Sequence, residues 1–155
     1  MGYCKLIYKT IKYVMVALVS IVCALQIVSC SNDNIAFNKG EQHYALGEYY
    51  QASLYYKKAY SRTSPKDKSK RALRAFKMGE CYRRINYTQK ALAAYQNAVR
   101  YNIKDSLALF HLARIQLKTG QYKQAEGNFR LYLERDPSNE LARSGLLSCE
   151  LAFQW

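Results

Sequence analysis

Small and apolar residues recur along the chain at helical spacing. Ala91, Tyr95 and Ala98 stand at i, i+4 and i+7, one stripe of a helix. The trio recurs upstream as Ala52, Tyr56, Ala59 and downstream as Ala125, Phe129, Tyr132, with offsets of 39 and 34 residues. Ahead of each stripe lies another periodic stretch ending at Gly47, Asn86 or Gly120, residue types that accept the left-handed conformation closing a helix. The pattern predicts three helix pairs. The first runs from Ala36 to Leu46 and about Tyr49 to Ser61, with Gly40 at the close approach of its two helices. The second covers Ser69 or Lys70 to Ile85 and Tyr87 to about Tyr101. The third covers the cap Asp105-Ser106 to Thr119 and Tyr122 to Glu134. Asp136-Pro137-Ser138-Asn139 then stops one helix and caps another. That last helix, Glu140 to Trp155, carries Leu141, Ala142, Leu146, Leu147, Leu151 and Trp155 along one side, expected to cover the third pair.

Gly79-Glu80-Cys81-Tyr82 followed by Ala91-x3-Tyr95, the 34-residue period, and Asp136-Pro137 closing the third copy resemble the tetratricopeptide (TPR) repeat. The resemblance implies an all-α fold: a right-handed superhelix of about three repeats (33–64, 69–104 and 106–138) plus a C-terminal capping helix (139–155). It also implies a concave face lined by the first helix of each pair. On it fall Asn34, Phe37, Glu41, Tyr44 and Ala45; then Leu73, Phe76, Glu80, Arg83 and Arg84; then Leu107, Phe110, Arg114, Leu117 and Lys118. Phe37, Phe76 and Phe110 share one position and would stack along the groove, bordered by Arg83, Arg84, Arg114 and Lys118. Aromatic anchors among arginines suit an apolar peptide with some negative charge. The alternative is that these rings pack between repeats and the arginines are merely solvated. The ninth repeat position holds Glu41, Glu80 and Arg114 in place of the asparagines of the TPR carboxylate clamp, so a chaperone tail is not the expected ligand.

Charge adds a second theme. The chain carries 24 basic and 11 acidic residues. Lys5, Lys9 and Lys12 precede any acid, and the chain beyond Cys30 keeps a formal charge of +10. Nine basic residues lie between Lys57 and Lys77 against Asp67 alone. This cluster is either a solvated loop and helix edge or a patch for acidic headgroups or an acidic protein. Nucleic acid is not expected, because Tyr56, Tyr82 and Tyr95 fall at repeat-packing positions.

The three early lysines precede the apolar run Tyr13 to Leu25. At about 13 residues that run falls short of the ~20 needed to span a bilayer and reads as a secretory signal over 1–29. Ile27-Val28-Ser29-Cys30 resembles the bacterial lipobox, which makes Cys30 the acylated N-terminus, residues 30–34 a lipidated tether with Ser31 to Asn34 as its polar stretch, and 35–155 the TPR domain. A cut elsewhere, or an uncleaved tilted anchor, is the alternative. Cys81 and Cys149 are then expected as buried free thiols, since a disulfide needs their Cα atoms within about 7 Å.

Residues 72–98 (ALRAFKMGECYRRINYTQKALAAYQNA) and 142–155 (ARSGLLSCELAFQW) resemble the TPR region that opens OmpA-like outer-membrane lipoproteins of Bacteroidetes. In that family a β-propeller and a peptidoglycan-binding domain follow, and some members serve type IX secretion and gliding. The resemblance covers about residues 30–155. It implies lipidation of Cys30, a place at the periplasmic face of the outer membrane and a docking role; peptidoglycan binding is not carried over.

His43 and His111 have no nucleophile and acid in a catalytic arrangement, and no phosphate loop or Cys/His cluster occurs. No enzyme activity, cofactor, metal or small-molecule substrate is expected. The expected function is a lipid-anchored adaptor holding a partly acidic protein or peptide. A structural envelope fragment packing on a propeller or OmpA-like domain, and a basic membrane-surface protein, are the alternatives.

Overall fold

Each predicted stripe folds as a helix, and the breaks fall at the left-handed residues. A computed structural model of the chain describes residues 11, 13–17, 20, 33–101 and 107–152. From residue 33 its helices are α1 (33–45), α2 (Tyr49–Arg62), α3 (Lys68–Arg84), α4 (Thr88–Arg100), α5 (Leu107–Lys118), α6 (Tyr122–Leu133) and α7 (Glu140–Ala152). Residues 11, 13–17 and 20 are also helical, and no strand occurs among the described residues. No helix among them is long and apolar enough to cross a membrane. Cys30, the Asp105-Ser106 cap and Trp155 lie outside the described residues.

The three intra-pair turns are built alike. Gly47 and Gly120 have φ of 76° and Asn86 has φ of 58°. After each, one amide reaches back five residues: Glu48 N–H to the His43 carbonyl at 2.9 Å, Tyr87 to Tyr82 at 2.8 Å and Gln121 to Gln116 at 2.8 Å. This is the 6→1 bond that closes a helix end in a Schellman motif. Between the first two pairs, Asp67 caps α3 by accepting from the Lys70 N–H at 3.0 Å. The loop is therefore only 63–67; Lys68, Ser69 and Lys70 form the first turn of α3.

Glycine sets the closest contacts within and between pairs. A Cβ on Gly40 would stand 2.7 Å from the Tyr56 ring, and one on Gly79 would stand 2.9 Å from the Tyr95 ring. Helices pack mainly on their chain neighbours, α2 on α3, α3 on α4, α4 on α5 and α5 on α6, as in a solenoid. One cluster centres on Tyr56, Cys81 and Tyr95, and a second on Phe110, Phe129 and Cys149.

The last helix covers α6 as expected, but with another face. Ala142, Gly145 and Cys149 are buried, and a Cβ on Gly145 would collide with the Phe129 ring. Leu141, Leu147 and Leu151 remain exposed, and Leu146 is half-buried. A close approach selects the small-residue stripe, because a leucine stripe would hold α7 away from the Phe129 ring. Cys81 and Cys149 are buried free thiols. Burial pushes the Cys81 thiol up to about 12, which suits packing and not reactivity.

The start of the domain also differs from the expected tether. Asp33 and Asn34 belong to α1, and both are held by Arg74 of α3: Nη1 to Asp33 Oδ2 at 2.8 Å and Nη2 to Asn34 Oδ1 at 2.9 Å. Asp33 and Arg74 are both buried, and Arg74 also donates to the Thr63 hydroxyl. A buried guanidinium left without a partner is costly, so burying Arg74 requires the Asp33 carboxylate beside it. Here that draws residues 33 and 34 into the fold.

Candidate functional site

The inner face is formed by α1, α3 and α5, and its two acids are engaged by tyrosine hydroxyls, Glu80 buried and Glu41 half-buried. Glu41 accepts from the Tyr56 hydroxyl at 2.6 Å and pairs with Lys77 at 3.0 Å. One repeat later Glu80 accepts from the Tyr95 hydroxyl, pairs with Arg83 at 2.8 Å, and lies 3.4 Å from His111 Nε2. The same carboxylate-to-tyrosine bond, spanning fifteen residues, thus closes both pairs. In the third pair the positions are Arg114 and Phe129: without the hydroxyl there is no inward carboxylate, and the position points a cation outward.

Burial by itself would raise the Glu80 carboxyl, but hydrogen bonds from Arg83 and Tyr95 and the nearby His111 outweigh it and hold it below its ordinary 4.5. A depressed carboxyl contributes stability that is complete above the unfolded value and is lost as pH falls through the folded one. The melting temperature is expected to fall on acidification below about 4.5. Glu80→Gln should be less stable at pH 7 and flatter across that range; identical pH profiles for the two proteins would refute the assignment.

The phenylalanines do not form an open stack. Phe76 and Phe110 are buried and Phe37 is half-buried. Phe37 packs on Tyr56 (5.6 Å between centroids), Phe76 on Tyr95 (6.0 Å), and Phe110 on Tyr132 (5.1 Å) and Phe129 (6.4 Å). Their shared position faces the second helix of its own pair, where a large ring gains more by packing than by waiting in water. They are core residues.

The cations are unequal. Arg84 is tied to the first repeat, donating to the Tyr44 and Tyr49 hydroxyls at 3.2 Å each with its guanidinium over both rings. Tyr44 serves that contact and lies half-buried. Arg83 is shared with Glu80. Arg114 and Lys118 are exposed and in no ion pair among the described residues; Arg114 lies over the Phe110 ring at 5.4 Å. With Arg83, Asn86, Thr88, Ala91, His111 and Ile115 they line a cavity of about 330 Å³ between the α3–α4 turn, the start of α4, and α5. Phe37, Phe76 and Phe110 take no part in it. Sequence reading missed His111 and the Tyr56 and Tyr95 hydroxyls; the signal was there, since glutamate and tyrosine occur together in two copies and are lost together in the third. Among the described residues no group of three His, Cys, Asp or Glu could hold a metal.

The family model described as the SusR N-terminal TPR domain matches residues 2–131. The chain belongs to that family. The match takes in the basic and apolar stretch before Asp33 as well as the helices up to α6, and the family is named for SusR and not for an OmpA-like lipoprotein. No curated protein matches this SusR-type TPR chain. Solved TPR structures share its fold. The Arabidopsis OM64 TPR domain is 17% identical, covers 78% of this chain and 96% of that one, with a TM-score of 0.65. The first TPR of Spaghetti (RPAP3), bound to the HSP90 peptide SRMEEVD, is 18% identical over 81% and 95%, with a TM-score of 0.66. The Yersinia enterocolitica chaperone SycD, in complex with a peptide of the translocator YopD, is 18% identical over 76% and 92%, with a TM-score of 0.62. The SusR-type domain therefore has the all-α TPR fold.

Proposed function

We propose that the chain is a non-catalytic, lipid-anchored TPR adaptor that holds a partly acidic segment of a protein partner in its concave groove. It works at the periplasmic face of a bacterial outer membrane, in a type IX secretion or envelope-assembly complex. One observation carries the groove reading: Glu41 and Glu80 are each engaged by a tyrosine hydroxyl and a neighbouring cation, while Arg114 and Lys118, in no ion pair among the described residues, stand beside the cavity. A groove whose acids are already engaged and whose bases are displayed favours carboxylates. TPR relatives whose structures hold peptides, such as the Spaghetti and SycD domains, support a peptide as occupant. The anchor rests on the lysines, the apolar run and Ile27-Val28-Ser29-Cys30; the complex rests on the resemblance to OmpA-like lipoproteins.

Display of a random heptapeptide library on the protein tests the groove. Enriched peptides should combine Asp or Glu with apolar residues, and binding should fall about tenfold or more in Arg114→Glu/Lys118→Glu and in high salt. Enrichment of neutral or basic peptides, or indifference to the charge reversal, removes the groove from the proposal. For the anchor, Cys30→Ala should release the protein from membranes; retention after mild salt washing would show that Cys30 is not the anchor.

A structural role, with the domain packed on a propeller or OmpA-like domain, is favoured by one feature. Leu141, Leu147 and Leu151 of α7 are 69%, 55% and 48% exposed, an apolar face suited to burial under a further element.

A further inference from the structure

We infer that the α2–α3 loop is a contact surface for anionic lipid headgroups, held against the membrane by the way the fold grips its own N-terminus. The inference rests on the anchored reading and adds the orientation of the domain.

Arg74 is the pivot. Its guanidinium binds Asp33 and Asn34 at the start of α1 and, from the same nitrogen as Asp33, the Thr63 hydroxyl at the start of the loop. Arg71, stacked on Tyr60 at 4.3 Å, donates to the Thr63 carbonyl at 3.0 Å. The first residue of the domain and the first residue of the loop are thus bridged by one buried side chain. Between Cys30 and Asp33 lie only Ser31 and Asn32. Three residue steps reach about 10–11 Å even when fully extended. An anchor at Cys30 therefore keeps Asp33 within roughly one Debye length of it, and Arg74 ties the start of the loop to Asp33, on the membrane side of the domain.

The residues presented there are basic. Arg62, Lys66 and Lys68 are exposed, and none is in an ion pair among the described residues. The one acid of the loop, Asp67, is engaged by the Lys70 amide at 3.0 Å and the Lys70 ammonium at 3.1 Å. Arg62, Lys66 and Lys68, beside a lipid anchor, are drawn to anionic headgroups and orient the domain that the acyl chains already hold. An acidic protein would also be attracted to these charges, but the anchor brings the bilayer to this end of the domain.

The test is hydrogen–deuterium exchange on the full chain reconstituted in vesicles of phosphatidylcholine alone or with one-third phosphatidylglycerol. Amides of residues 63–68 should exchange about tenfold more slowly in the anionic vesicles. The protection should vanish in high salt and in Arg62→Glu/Lys66→Glu/Lys68→Glu, with α4 and α5 unchanged throughout. Flotation is read in parallel. A chain that floats with both vesicle types but shows equal exchange of the loop overturns this inference alone; a chain that floats with neither overturns the anchor and the inference together.

Discussion

Tyr95→Ala is expected to remove about 3–5 kcal/mol of stability, the cost of deleting a large ring from a core that cannot close over the gap. Tyr95 is fully buried and occupies the junction of α3, α4 and α5. Its ring lies on the face opened by Gly79 and packs on Phe76 at 6.0 Å and His111 at 5.6 Å. Its hydroxyl is also one of the three groups that stabilise the Glu80 carboxylate. Alanine therefore opens a cavity and weakens the solvation of a buried charge together. The effect should not stay local. In a solenoid the middle repeat is the sole connection between its neighbours, so weakening it uncouples them. Urea unfolding followed by circular dichroism should change from one transition to two, with the midpoint of the earlier one well below that of the parent. Tyr95→Phe keeps the ring and should cost only about 1–3 kcal/mol, the desolvation penalty of a carboxylate that loses one donor. Equal losses for the two variants would show that the hydroxyl, not the ring, dominates; a loss under about 1 kcal/mol for alanine would refute the account.

The fold was legible because repetition multiplies weak local signals. One Ala-x3-Tyr-x2-Ala stripe is ambiguous, but three copies, each preceded by a left-handed break, are not. Asn86 could be read as a glycine substitute for the same reason, and its φ of 58° agrees. The packing face of α7 was not legible. The expected side held Leu141, Ala142, Leu146, Leu147 and Leu151; of these only Ala142 is buried and Leu146 half-buried, and the buried stripe is Ala142, Gly145 and Cys149. Hydropathy reports what a side chain gains by leaving water; it does not report how near the next helix lies. Only the Phe129 ring, invisible as a neighbour of Gly145 in one sequence, sets that distance.

The rings of the candidate groove were misread, and so were two of its four cations, since Arg83 pairs with Glu80 and Arg84 is held by Tyr44 and Tyr49. Arg114 and Lys118 do stand free beside a cavity, but Phe76 and Phe110, at the same repeat face by number, point back onto the second helix of their pair. Repeat numbering gives the direction of a Cα–Cβ bond, and a long side chain can still bend from groove to core. The short polar stretch before residue 35 was misread for another reason. Asp33 and Asn34 look like tether in composition, and their partner Arg74 lies some forty residues on in a run of lysines and arginines that all look solvated. Long-range pairing of one particular arginine leaves no periodic trace.

That arginine carries the second large expectation. Arg74→Met should cost about 3–5 kcal/mol, because it strands the Asp33 carboxylate in a site only 7% exposed. The methionine keeps the aliphatic stem and removes the guanidinium, so the loss measures the stranded acid together with the bonds to Asn34 and Thr63 and the contact over the Phe37 ring. Asp33→Asn should be milder, since the guanidinium keeps Asn34 and Thr63 as partners. If the cost is that of an uncompensated charge, then Arg74→Met/Asp33→Leu, which removes both ions, should recover most of it. Thermal unfolding of the parent, Arg74→Met, Asp33→Leu and the double variant forms a double-mutant cycle, with a coupling of several kcal/mol expected between the two positions. Exchange measurements should place the damage of Arg74→Met in α1 and in the loop 63–67, leaving α5 and α6 protected, since each repeat is sustained by its neighbours alone. Additive losses in the cycle would mean that Arg74 stabilises the domain by packing, and that the start of α1 stays in place without the ion pair.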